Sequence, residues 1–348
     1  MGTNKEEFQE NRVVIIYDCP QKTCDKLWLR DELRKKGYQI NAVYSCCRIS
    51  NVEQRGGLGK LAARLLTLWQ CIKGLAKSKP GDRVICWSQW SGLFFNLLPG
   101  AEKCWIISYN WLTPIPNAKT RFLYAKALEN PRLTAVINTP ETEEKLRKAY
   151  QVRKGGNIVC IPDVFDDAQT FAAPCWKQEN RYCFSGGRAN RDWSLLMKIA
   201  ALCPHIPFRV VSARADWDSN LEIPSNVQVF FDLGPEDYYQ LLQQSYLSLY
   251  PLKENRVSGL INILKSIQMG KPVLTTDISF TRIYFSQQHQ DCLLPFGDSS
   301  LWKTAIERLW NCGKDEYEGL GKELQEYVKR NFSPQQAVQQ LDRIMKEK

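Results

Sequence analysis

Short apolar runs alternate along this chain with longer stretches in which apolar residues return every three or four positions. The runs are VVIIY at 13–17, INAVYS at 40–45, VICWS at 84–88, WIISY at 105–109 and TAVINT at 134–139. Each has the length of a strand. Near-continuous apolar character is what a strand buried on both faces of a parallel sheet requires. Between them, residues 23–36 read as a helix with Thr23 as its cap and Gly37 as its stop. LGKLAARLLTLWQCIKGLAK at 58–77 is a longer helix. Its apolar residues Leu58, Leu61, Leu65, Leu68, Ile72 and Leu75 recur at helical spacing. They read first as a face turned to the core, and alternatively, with Trp69, as the apolar side of an interfacial basic amphipathic helix. Strand alternating with helix at this pitch predicts a doubly wound parallel sheet.

The pattern breaks at IPDVFDDAQTFAAPCWKQEN (161–180), which holds two prolines and no periodicity and reads as a linker. It then resumes: YCFSGG, a helix over 193–203, FRVVSA, VQVFFD, a helix near 235–245, LSLYP, a helix over 258–269, and PVLTTD. Two or three more helices fill 300–348. At 348 residues the chain is too long for one ordinary core. The expected division is an N-terminal Rossmann-like domain over 1–165, a second over 166–333, and a final helix over 334–348 that crosses back to the first.

Two strand-to-helix turns of the second domain carry the densest chemistry. YCFSGGRANRDW runs from a strand into a glycine pair and two arginines, and VSGLINILKSIQMGKPVLTTD follows about seventy residues later. Helix N-termini offer unpaired N–H groups and a positive dipole end to an anion. Glycine at Gly186 and Gly187 lets backbone approach a ligand. Arg188 and Arg191 add permanent cations whose forked donors suit phosphate oxygens. The spacing also allows Asp192 to orient Arg191. A solvated surface turn and an ordinary capped helix are the bland readings of the same residues. A bound pyrophosphate is the sharper one.

At these residues the chain resembles GT-B-fold glycosyltransferases, and most nearly their family 4 of retaining, nucleotide-sugar-dependent enzymes. GGRANRDW is similar to that family's diphosphate clamp, and SGLINILKSIQMGKPVLTTD to its S-x-G…GKPV block. Looser similarities cover DRVICWSQWSGLFFNLL, TAVINTPETEEKL, IPDVFDD and EDYYQLLQQSYLSLYPL. The resemblance implies an α/β GT-B architecture, two Rossmann-like domains facing each other across a cleft. It implies a hexosyl or related transferase moving a sugar from a nucleotide diphosphate-sugar to a saccharide or a polyprenyl- or lipid-linked acceptor, in surface polysaccharide or glycolipid synthesis. No separate cofactor is implied, because the donor substrate is itself the nucleotide, and the expected enzyme is retaining and metal-independent.

By the same resemblance Gly186, Gly187, Arg188, Arg191, Ser258, Gly259 and Leu260 would hold the donor. The family's two glutamates of the donor site fall on Val257 and Lys265, and neither is acidic. Lys265 has no acceptor for a ribose hydroxyl, and Glu254 is the nearest carboxylate to stand in for the first glutamate. Where family members keep a histidine after a middle strand, this chain has Tyr109 and Asn110. Asp18, directly after the first strand, is the best-placed carboxylate for an acceptor hydroxyl. Asp18, Asn110 and Arg191 are thus the candidate catalytic residues. The lost acidic pair motivates an alternative: a catalytically silent GT-B protein that binds a sugar nucleotide or a partner. An epimerase of the same architecture is disfavoured by the scarcity of histidine.

Composition changes this picture in two ways. The formal net charge is +10, which favours anionic partners. No nucleic-acid-binding signature accompanies it, and Lys60, Arg64, Lys73 and Lys77 cluster on the 58–77 helix with Arg55 ahead of it, so an anionic membrane surface is the better match. Thirteen scattered cysteines without a C-x-x-C pair read as reduced thiols of a cytosolic protein. Charged residues through the first twenty positions argue against a signal peptide. Asp216-Trp217-Asp218 is a D-x-D sequence whose bland reading, a polar loop, is preferred to a metal site.

Overall fold

The chain was analysed as a computed structural model that describes residues 11–25, 27–53, 56–111, 118–152, 157–164, 181–188, 190–255 and 259–347. It divides into two compact units, 1–162 with 334–348, and 163–333.

The first unit is built on β1 (Arg12–Ile16), α1 (Gln21–Cys24), α2 (Trp28–Lys35), β2 (Gln39–Val43), α3 (Ile49–Glu53), α4 (Gly57–Lys77) and β3 (Arg83–Cys86). It continues with α5 (Gln89–Leu97), β4 (Trp105–Ser108), α6 (Ala118–Glu129), β5 (Leu133–Ile137), α7 (Pro140–Tyr150) and β6 (Ile158–Cys160). Its six strands are all parallel in the order β2-β1-β3-β4-β5-β6. Val13, Val14, Ile15, Val84, Ile85, Ile106 and Leu133 are almost wholly buried, as the unbroken apolar runs require.

Two sequence expectations fail here. The single helix over 23–36 is two helices, α1 and α2. Cys24, Leu29 and Leu33 are the buried residues. The five-residue step from Cys24 to Leu29 lies off one helical face, so the chain breaks between them to bury both. Pro20, rather than Thr23, precedes the first turn.

The second is the core-facing reading of α4, whose outward alternative agrees with the exposed leucines and Trp69. Its buried residues are Gly59, Ala63, Thr67, Gln70, Cys71 and Gly74, while Leu58, Leu61, Leu65, Trp69 and Ile72 are exposed. Small residues win the inner face because the helix lies very close to β1. A Cβ on Gly74 would sit 2.4 Å from Ile16 Cδ1.

The second unit contains β7 (Cys183–Gly186), α8 (Trp193–Leu202), β8 (Phe208–Ser212), β9 (Val227–Phe231), α9 (Pro235–Gln244) and β10 (Leu247–Tyr250). It ends with α10 (Leu260–Gln268), β11 (Val273–Thr276), α11 (Ser279–Arg282), β12 (Leu293–Leu294), α12 (Ser299–Asn311) and α13 (Lys314–Asn331). The sheet is again all parallel, ordered β9-β8-β7-β10-β11-β12. Its core gathers Phe208, Tyr246, Tyr250, Trp302 and Tyr317, all at most 1% exposed.

The last helix, α14 (Pro334–Lys346), belongs to the first unit. It packs on α2, and its Asp342 accepts a 2.6 Å hydrogen bond from the Tyr38 hydroxyl while the Met345 carbonyl accepts one from Arg83 Nη2 at 2.9 Å.

Candidate functional site

In the second sheet the chain winds outward from β7 through β8 to β9, then returns to lay β10 on the other side of β7. The loops leaving β7 and β10 therefore diverge. A crevice opens beyond their carboxyl ends, the position at which doubly wound sheets take ligands. Gly186 ends β7, and Gly187, Arg188 and Arg191 lie on the loop that follows. Glu254 and Gly259 lie on the loop after β10, and Leu260 opens α10.

Arg191 is the centre of this arrangement. It is 2% exposed, and its Nε donates to the Gly186 carbonyl at 3.0 Å. Its guanidinium carbon stands 5.1 Å from the Tyr250 ring centroid. Both terminal nitrogens are buried without a hydrogen-bond partner among the described residues. Desolvation lowers its pKa, though an arginine keeps its proton under any ordinary condition. A buried cation with uncommitted donors is costly unless something anionic meets it.

The two loops close on that guanidinium through glycines. Gly187 has φ +141°, and a Cβ there would come within 2.7 Å of Arg191 Nη2. Gly259 has φ +82°, and a Cβ there would lie 2.1 Å from Nη1. Any side chain at either position would collide with the arginine. Asn190 ties the same loops together from a left-handed conformation (φ 61°). Its Nδ2 donates to the Glu254 carbonyl at 2.9 Å, and its Oδ1 accepts from the Glu254 N–H at 3.0 Å.

The two helix N-termini differ. Asp192 accepts from the Leu195 N–H at 2.9 Å and so caps α8, rather than orienting Arg191 as the spacing allowed. At α10 the capping position is Gly259, with no side-chain cap among the described residues. An anion is therefore repelled at α8 by the carboxylate and welcomed at α10.

The remaining donor-side candidates fall around this core. Arg188 is exposed and lines a cavity of about 80 Å³ with Gly187, Ser212, Asp232 and Tyr238. Tyr238 and Ser185 carry buried hydroxyls without partners among the described residues, and a Cβ on Gly186 would meet the Tyr238 hydroxyl at 2.6 Å. Leu260 is buried at the start of α10, and Lys265 Nζ donates to Gln268 Oε1 at 2.9 Å. Glu254 joins the site through its backbone, with its side chain at the surface. Ser258 and Val257 lie outside the described residues. The D-x-D sequence forms a polar loop: Asp218 accepts from the Asn220 N–H, and Trp217 packs on Trp193 and Phe231.

The first sheet reverses between β1 and β3, and its carboxyl edge there holds the other candidates. Asp18 follows β1. Burial raises its pKa above the usual carboxylate value, opposed by its own backbone, Cys19 and Arg48. Asn110, in a left-handed conformation (φ 59°), donates through Nδ2 to the Trp87 carbonyl at 2.8 Å. Beside them runs an aromatic ladder that sequence reasoning missed. Tyr44 stacks on Tyr17 at 5.5 Å, Tyr17 meets Trp87 at 5.7 Å, and Trp87 stacks on Tyr109 at 5.1 Å. The Tyr17 and Tyr109 hydroxyls are buried without described partners. Cys19 and Cys24 touch at 2.9 Å, and burial raises both thiols, which keeps them neutral.

No family model matches the chain, and no curated protein matches it. Solved structures do. Anabaena HepE, determined in complex with UDP and glucose, superposes with a TM-score of 0.72 at 13% identity, over 97% of this chain and 100% of its own. A glycosyltransferase from Rickettsia africae gives 0.68 at 13% identity, over 97% and 98%. A trehalose-6-phosphate protein of E. coli bound with UDP-2-fluoro glucose gives 0.67 at 10% identity, over 97% and 99%. Identities this low speak to architecture, and with two six-stranded parallel sheets, each flanked by helices, the chain has the GT-B fold.

Proposed function

We propose that the chain is a glycosyltransferase that takes a sugar from a nucleotide diphosphate-sugar and passes it to a saccharide or lipid-linked acceptor. The observation that carries this reading is Arg191: a buried guanidinium with two nitrogens uncommitted among the described residues, clasped by Gly187 and Gly259 at the switch point of a parallel sheet. A diphosphate supplies the charge and the acceptor oxygens that those donors lack. Solved proteins of the same fold, Anabaena HepE among them, bind UDP and UDP-glucose.

In this reading the bond from the anomeric carbon to the diphosphate breaks, and negative charge grows on the leaving phosphate. Arg191, Arg188 and the N–H groups opening α10 stabilise that charge as it develops. The acceptor oxygen bonds to the anomeric carbon and loses its proton to the leaving phosphate or to Asp18. A carboxyl whose pKa is raised by burial is better matched to that task than a free one. With the proton delivered to the leaving phosphate on the same face, the transfer would retain the anomeric configuration. The charge is managed by arginine and backbone donors, so chelators should leave the rate unchanged.

Tyr44 and Trp87, partly exposed and stacked on the buried Tyr17 and Tyr109, support a saccharide acceptor, since flat rings suit the apolar faces of pyranoses. A thermal-shift screen of nucleotide diphosphates and their sugars, followed by release of free nucleotide with saccharide and lipid-linked acceptors, tests the proposal. Stabilisation by a nucleotide diphosphate with acceptor-dependent nucleotide release is expected. Stabilisation without any release favours a silent binding protein, the reading that Lys265 in place of a glutamate motivates. No stabilisation by any nucleotide overturns both.

A further inference from the structure

The outward face of α4 has the chemistry of a bilayer-docking surface. Leu58, Leu61, Leu65, Trp69 and Ile72 are 86%, 59%, 59%, 56% and 42% exposed. At about 100° of rotation per residue these positions fall in one stripe, opposite Gly59, Ala63, Thr67 and Gly74. The stripe is no by-product of a loose helix. The small residues hold α4 hard against β1, with Gly74 against Ile16, so the large apolar side chains have no route inward. A contiguous apolar surface of this kind marks an interaction site.

Charge identifies the occupant. Residues 57–77 contain no aspartate or glutamate. Lys60 and Lys77 are exposed near the two ends of the helix, and Lys73 Nζ lies 5.9 Å from the Trp69 ring centroid. Arg64 is committed inward, to Glu53 and over the Trp90 ring. We propose that this face of α4 docks the protein on an anionic lipid surface, the helix lying in the plane of the interface with leucines and Trp69 in the acyl boundary. Lysines then meet lipid phosphates, and the formal net charge of +10 adds long-range attraction. A second copy of the chain is a poorer fit. A two-fold contact brings the same face to itself, which sets lysine against lysine with no acid on the helix to pair them. Among the described residues no helix is long and apolar enough to cross a membrane.

The inference does not depend on the transfer reaction, because α4 carries none of the donor-side residues. Cosedimentation with phosphatidylcholine vesicles, with and without phosphatidylglycerol, tests it directly. Binding to the anionic vesicles at least tenfold tighter than to neutral ones is expected, reversed by high salt. The variant Leu65→Gln/Trp69→Gln should bind at least tenfold more weakly. Both side chains are exposed, so its melting temperature should match the parent's. Quenching of tryptophan emission by brominated lipid should fall in Trp69→Phe. Equal binding to neutral and anionic vesicles, or no binding to either, overturns the proposal. So does a lipid-free dimer that the double variant converts to monomer, which would make α4 a contact between copies.

Discussion

At the scale of single residues, the site depends on what glycine and arginine permit together. Gly187 and Gly259 admit a guanidinium that any Cβ would exclude. The glycine pair and the arginine were legible in the sequence as neighbours on one strand-to-helix turn. The close packing of Gly259 on Arg191 was not, since it depends on two loops about seventy residues apart meeting at one atom group. Asn190 was missed for the same reason: its value lies in two bonds to the Glu254 backbone. Asp18 offers a test at this scale. Its folded pKa is raised by burial, so the charged form is disfavoured in the native state. That penalty is present above the folded pKa and disappears as pH falls toward the unfolded carboxylate value. Asp18→Asn should therefore raise the unfolding free energy at pH 7, and the gain should shrink as the pH falls through the range below that. Urea unfolding at several pH values checks the sign. A variant less stable than its parent at neutral pH would contradict the assignment of burial as the dominant cause.

At the scale of elements, most strands and helices were readable because parallel strands buried on both faces leave unbroken apolar runs. β6 and β12, of three and two residues, are too short to leave such a run. The instructive failure is α4. Periodicity locates a helix and its apolar stripe, but the side that faces the sheet is decided by how closely the backbone must approach. Gly59, Ala63 and Gly74 decided it against the leucines. The same competition governs α13. A Cβ on Gly321 would lie 2.1 Å from the Gly270 carbonyl oxygen, a backbone atom that cannot swing aside. Gly319, on the same helix, has nothing within 4 Å. Gly319→Ala should stabilise by up to ~1 kcal/mol through helix propensity. Gly321→Ala should destabilise by about 1–3 kcal/mol through overpacking. Thermal melts of the two variants read the difference. Equal shifts would mean that α13 is not held against that turn.

At the scale of the molecule, two parallel sheets of different strand order each place their candidate residues where the order reverses. The resemblance to GT-B enzymes located those residues, but the chain departs from the family where the acidic pair would stand, so function turns on whether the second unit binds a nucleotide diphosphate. Isothermal titration of UDP and GDP into the wild-type chain, Arg191→Lys and Arg191→Ala measures this directly, with melting temperatures recorded for all three. Loss of a charge-assisted contact from a buried site costs roughly 1.5–3 kcal/mol, a 10- to 100-fold change in affinity. The account predicts that one of the two nucleotides binds the wild type, that Arg191→Ala binds it 10- to 100-fold more weakly while still folded, and that Arg191→Lys falls between. Unchanged affinity in a folded Arg191→Ala, or no binding of either nucleotide to the wild type, would contradict it.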